Sequence, residues 1–383
     1  MATLMSLVAL TIDAMLPALG EIGRELGVER ENDVQLVVSL IFLGIAFGQL
    51  LYGPLSDSVG RKPALVAGLA LYMAGSLLCL FSWSFSVMLA GRLMQGVGVA
   101  APRIVSVALI RDQYEGRRMA RVMSFVMAVF ILVPIIAPAI GQGILLVADW
   151  RAIFGVFVAM AAVSFVWFTI RQPETLPVER RIPLSVSRVA NGFREVLTTR
   201  VALGYTITAG LVFGAFIGYL STAQQVFQVQ YGLGRKFPLY FALLSISIGA
   251  ASLLNARLVM RWGMRSLSRW ALSAIALLSV GFFFVSQADA GHPHLWALMS
   301  YLLLVFFCEG ILFGNLNALA MEPLGHIAGV GAAIVGALSM VISIAGGTSI
   351  GQAYNGTVVP LVAGFGGLAI ASLAAMHWTE AAS

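Results

Sequence analysis

The chain has 383 residues, 60% hydrophobic and only 10% charged, with a mean hydropathy of +0.93, whereas a water-soluble domain carries about 25% charged residues. A soluble globular or disordered protein is excluded, and a polytopic all-α membrane protein is implied. The net charge of +6 and pI of 9.6 reflect the Arg and Lys that collect in cytoplasmic loops, not nucleic-acid binding.

Uncharged stretches and their interruptions predict twelve transmembrane helices. They fall at about 2–19, 35–56, 64–83, 85–109, 122–147, 151–170, 200–223, 237–259, 267–287, 295–319, 328–350 and 357–377, each near the ~20 residues that cross a hydrocarbon core. The first run lacks the basic n-region of a cleavable signal peptide, and with three residues before Leu4 it looks clipped. Asp13 lies on its outer half. An acid shielded from water exchanges its proton nearer neutrality than a solvated one, so Asp13 is a candidate for proton coupling. The plainer reading is a helix-end residue bonded to its neighbours.

Between the second and third runs sits a short polar segment, Gly53 to Pro63, read as a tight turn between two spans. Gly53 permits a close helix approach, and Asp57 is expected at the cytoplasmic rim, held by a helix N-terminus or by Arg111 or Arg121. With Gly60, Arg61 and Lys62 it forms a candidate gating motif that latches one of two alternating states.

The fourth run holds Arg92, with Gln95 at i+3 and Arg103 at i+11, near one helix face. Charges at membrane depth are costly and mark functional candidates. A carboxylate such as Asp13 is a natural partner for the Arg92 guanidinium, and a structural ion pair is the alternative. In the fifth run Pro134, Pro138 and Gly141 share one face, where each Pro kinks the helix. That face suits a surface that rocks against the other half. In the tenth run Glu309 precedes Asn315 and Asn317. Glu309 reads as a second proton site, a contact for a cationic or hydroxyl-bearing substrate, or an internal hydrogen-bond partner.

The hydrophilic stretch 171–199 reads as a linker between two six-helix bundles, 1–170 and 200–383. A shift of 203 positions carries Leu55, Gly60 and Lys62 onto Leu258, Gly263 and Arg265, while Asp57 becomes Met260. Paired halves with a site between them near the midplane are a recurrent transporter plan. Residues 323–379 hold no Asp, Glu, Lys or Arg and are too long for one helix; 352–356 supplies the turn. Sixteen basic residues fall in one set of loops and five in the other, which puts both termini in the cytoplasm. Cys79 and Cys308 lie in apolar runs, so neither a disulfide nor a metal is expected. His292, His294, His326 and His377 lie in loops or at helix ends, which argues against a membrane-embedded enzyme. No cofactor is expected.

Taken together, Gly53–Pro63, Arg92-Leu93-Met94-Gln95-Gly96, Arg111-Asp112, Pro134/Pro138/Gly141, Trp150-Arg151-Ala152-Ile153-Phe154 and Pro173-Glu174-Thr175-Leu176 resemble a known pattern. In the second half 314–318 and 325–329 join them. The pattern is that of the twelve-span drug:proton antiporters of the major facilitator superfamily, particularly the bicyclomycin and phenicol exporter branch. The resemblance implies two pseudo-symmetric six-helix bundles in the bacterial inner membrane, exporting small amphipathic or antibiotic-like molecules as protons enter. One chain already contains both halves of a pathway, so a monomer among membrane lipids is expected. It maps Asp13 to the first-span acid, Arg92 to the fourth-span basic residue and Pro134/Pro138/Gly141 to the fifth-span antiporter motif. Arg103 and Glu309 depart from the pattern and adapt the cavity to an anionic or zwitterionic solute. Gln95, Arg103, Glu309, Asn315 and Asn317, with Asp13, are the substrate-cavity candidates. A proton symporter importing a nutrient or metabolite is the alternative on the same fold.

Overall fold

A computed structural model describes residues 2–381. Among them no strand occurs, and the chain divides into two compact units between Ala190 and Asn191. The first unit holds α1 (Ala2–Asp13), α2 (Leu19–Glu25), α3 (Leu36–Val59), α4 (Arg61–Leu80), α5 (Phe85–Gln113), α6 (Gly116–Leu145) and α7 (Arg151–Arg171). Then α8 (Val186–Thr198) crosses the boundary. The second unit holds α9 (Arg200–Gln224), α10 (Phe237–Trp262), α11 (Met264–Ala288), α12 (Leu295–Met321), α13 (Ala328–Gln352) and α14 (Val359–Glu380). Counting α1 and α2 as one span, Thr3–Glu25, gives twelve apolar spans among the described residues. The apolar run Leu295–Gln352 carries two of them, divided by the 3-10 segment Glu322–Ile327.

The first span differs from its expected 2–19. The helix stops at Asp13, passes through a 3-10 turn at Leu16–Ala18 and restarts to reach Glu25. Pro17 is the cause: it sits four residues after Asp13 and has no N–H to offer the Asp13 carbonyl. The predicted turn 53–63 also shrinks. Helix α3 runs to Val59, α4 begins at Arg61, and Gly60 alone turns the chain at φ 109°, ψ 160°, a region that only glycine enters cheaply. Its repeat mate Gly263 does the same between α10 and α11, at φ 75°, ψ 158°.

Helix α8 lies within the stretch read from the sequence only as a hydrophilic linker. Val186, Val189, Phe193 and Val196 recur at helical spacing. Gly192 faces Val330 and Ile334 of α13, and Val196 is fully buried.

Packing follows small residues, as expected where lipid removes the hydrophobic drive between helices. In the first unit α3 and α4 pack on α5, and α6 packs on α1. At the α3–α5 crossing a Cβ on Gly96 would stand 2.2 Å from the Ile41 carbonyl oxygen. In the second unit α9 packs on α13 and α14, and α12 on α10 and α11. Phe216, Tyr219 and Phe306 mesh between α9 and α12, with Tyr219 and Phe306 centroids 4.7 Å apart.

Candidate functional site

The break in the first span places Asp13 at the last position of α1, 5% exposed. Among the described residues it takes part in no salt bridge. The next residue, Ala14, meets α6: a Cβ on Gly141 would come 1.7 Å from the Ala14 carbonyl oxygen. The fifth-span Pro/Gly face therefore packs on the first span of its own unit, beside Asp13, with Pro138 and Gly141 both buried.

Arg92 does not reach a carboxylate. Its Nε donates to the Val37 carbonyl at 3.0 Å, Nη1 and Nη2 both donate to the Thr11 carbonyl at 3.2 Å, and Nη1 also donates to Gln95 Oε1 at 2.8 Å. Fully buried, the guanidinium is held by dipoles alone, a mode that buried membrane charges use. The network continues. Gln95 Nε2 donates to Ser76 Oγ at 2.8 Å, Ser76 donates to the Tyr72 carbonyl at 2.8 Å, and Tyr72 Oη lies 2.7 Å from Thr11 Oγ1. Helices α1, α4 and α5 are thus tied by one polar ring closed at Thr11, two residues before Asp13. Gln95, named as a substrate-cavity candidate, is fully buried with both amide atoms engaged in that ring. Arg103, expected near the Arg92 face, is exposed.

The gating motif is charged differently from expectation. Asp57 pairs with Arg61 of its own segment, not with Arg111 or Arg121, and Arg61 Nε reaches Asp112 at 3.0 Å. Glu174 occupies the α4 N-terminus. Its Oε1 accepts from the N–H of Arg61 at 3.0 Å and of Thr175 and Leu176 at 2.9 Å, and its Oε2 accepts from the N–H of Lys62 at 3.0 Å. Burial alone would raise the Glu174 carboxyl, but these four N–H donors outweigh it and hold it below its usual 4.5. Lys62 Nζ donates to the Thr169 carbonyl at 2.7 Å, and the Gly53 carbonyl accepts from Ser56.

In the second unit Glu309 is 1% exposed, and its Oε2 has no hydrogen-bond partner among the described residues. It shares a face of α12 with Phe306 and Phe313, which meet Phe216 of α9 tilted and edge to face respectively. Asn315 is paired amide to amide with Asn255 of α10, at 2.8 and 3.1 Å, while Asn317 is exposed. Sequence reasoning assigned no role to Thr11, Tyr72, Ser76, Asp112 or Glu174. Only Asp112 and Glu174 left a trace, as members of quoted motifs. Tyr72 looks like any aromatic in an apolar run.

Twelve apolar spans among the described residues, in two units that each bury a carboxylate, follow the plan of a multi-pass membrane transporter. The Major Facilitator Superfamily model matches residues 1–348, and the chain belongs to that superfamily. It is 30% identical to the bicyclomycin resistance protein homolog of Haemophilus influenzae, across 96% of this chain and 92% of that one. To multidrug resistance protein D of Escherichia coli it is 28% identical, across 84% of this chain and 80% of the other. Among solved structures, the partially occluded inward-open xylose transporter XylE from E. coli superposes with a TM-score of 0.75 at 14% identity, covering 99% of this chain and 96% of that one. This likeness shows the fold.

Proposed function

We propose that the protein exports small amphipathic or antibiotic-like molecules across the bacterial inner membrane in exchange for entering protons, as a monomer with both termini in the cytoplasm. The observation that carries this reading is Asp13: a buried acid with no ion pair among the described residues, at a helix break, next to Ala14 against Gly141 and two residues after the Thr11 that binds Arg92. A proton taken or lost there changes the charge beside the contacts of α1 with α5 and α6. Rocking of the residue 1–170 and 200–383 bundles about the 171–199 linker then exposes the site to alternate sides. Pro134, Pro138 and Gly141 let α6 pack closely on α1 beside Asp13, so that a change of charge there is felt by α6. The Gly53, Asp57, Gly60, Arg61 and Lys62 cluster latches one state. Glu309, bracketed by aromatic rings, receives a cationic or hydroxyl-bearing part of the substrate, and Arg103 and Asn317 add polar contacts. The relatives named for bicyclomycin and multidrug resistance support this substrate class.

The test uses everted vesicles energised to an inside-acid pH gradient, with chloramphenicol and bicyclomycin as probes. Addition of a transported drug should partly collapse the gradient, and Asp13→Asn should abolish that collapse while the protein remains in the membrane. Efflux unchanged by Asp13→Asn, with no gradient collapse for either drug, overturns the coupling scheme. Uptake into intact cells that grows with external acidity would reverse the direction.

A further inference from the structure

Where α11 begins and α14 ends, a cavity of about 520 Å³ opens between the two helices. Arg269 and Ser273 line it from α11, and Leu373, Met376, His377 and Glu380 line it from α14. The Arg269 side chain is 61% exposed, and its guanidinium pairs with Glu380. Glu380 also accepts from Tyr205 Oη at 2.7 Å, so that carboxylate keeps a donor if Arg269 turns away. Around this end stand exposed indoles with basic partners. The Arg200 guanidinium lies 4.8 Å from the Trp378 ring, that of Arg261 lies 5.3 Å from Trp262, and Trp262 meets Trp270 edge to face at 5.7 Å. Tryptophan and arginine gather in this way at the headgroup level of a bilayer. Arg200, Arg261, Arg265 and Arg269 outnumber the two acids nearby, Glu322 and Glu380.

We propose that this cavity binds an anionic phospholipid, its phosphodiester held by Arg269 and His377 and an acyl chain laid along Leu373 and Met376. The apolar Leu373 and Met376 beside these polar groups separate a lipid from a free phosphate. The excess of cations separates an anionic headgroup from a zwitterionic one. Glu380 competes with the phosphate for Arg269 and so sets the affinity. None of these residues belongs to the proton or substrate machinery, so lipid occupancy and export can fail independently.

The full chain in neutral detergent is titrated with dioleoyl phosphatidylglycerol, dioleoyl phosphatidylcholine or the soluble headgroup glycerophosphoglycerol, and bound adducts are read by native mass spectrometry. Phosphatidylglycerol should bind about tenfold tighter than phosphatidylcholine, and Arg269→Gln should weaken it about fivefold, the worth of one basic contact near an anionic surface. Glu380→Gln, which frees Arg269, should tighten it. Equal binding of the two lipids overturns the proposal, as does weakening by both substitutions, which would mark a merely structural ion pair. Glycerophosphoglycerol binding as well as the lipid would also overturn it, in favour of a soluble organophosphate. If Arg269→Gln does not fold, Glu380→Gln decides alone: unchanged or weaker phosphatidylglycerol binding ends the idea.

Discussion

Arg92 is a cation buried without a counter-ion, and its fork geometry explains why it need not have one. Two faces of the guanidinium reach carbonyls on α3 and α1 while a third donor holds Gln95. Lysine carries the same charge but concentrates its donors at one point, so it cannot span Val37 and Thr11 together. Arg92→Lys should therefore cost about 2–3 kcal/mol, the penalty for leaving buried acceptors unmade, read as a lowered Tm of the purified protein. Tyr72→Phe should cost only about 1 kcal/mol, because Thr11 still donates to the Leu7 carbonyl at 2.5 Å. A lysine variant as stable as the parent would show that the acceptors are satisfied by other means.

At the scale of elements, the junction of α3 and α4 is decided by a residue over a hundred positions away. The first N–H groups of any helix lack internal partners, and Glu174 supplies them for α4 from the linker. Glu174→Gln should cost about 1 kcal/mol at pH 7, as the loss of a good cap does. Because folding depresses this carboxyl, its contribution is present above the usual 4.5 and is lost as pH falls through that value toward the lower folded one. Thermal unfolding of parent and variant should thus differ at pH 7 and converge as the pH falls below the depressed range of the folded carboxyl. A gap of the same size at pH 7 and below that range would remove Glu174 as the charged cap.

Across the whole molecule the two halves repeat the same joint with different chemistry. Gly60 and Gly263 turn the chain with nearly equal ψ angles. Close behind each comes a basic residue that bridges to a later segment, Arg61 to Asp112 at the end of α5 and Arg265, the repeat mate of Lys62, to Glu322. The first joint is shielded, with the Arg61 side chain 11% exposed and bound to two carboxylates. The second is open, with Arg265 46% exposed and 3.4 Å from its acid. Arg61→Ala should cost about 2–3 kcal/mol, since it strands two acids, whereas Arg265→Ala should cost under about 1 kcal/mol, as exposed pairs do. Equal shifts in Tm would mean that the repeat is symmetric in energy as well as in backbone.

Span number, a break between the second and third spans, the internal repeat and the charged residues worth watching were all legible along the chain, because hydrocarbon admits only long apolar helices and makes every charge within them conspicuous. Partners were not. That Arg92 takes carbonyls rather than Asp13, that Arg61 rather than Arg111 holds Asp57, and that Glu174 caps α4 depend on which helices touch. So does the contact that brings Gly141 onto Ala14, and so does the use of Asn315 on Asn255. Helical periodicity says which residues share a face but not which neighbour that face meets. Small residues set the distance of approach, and that distance exists only once the bundle is packed.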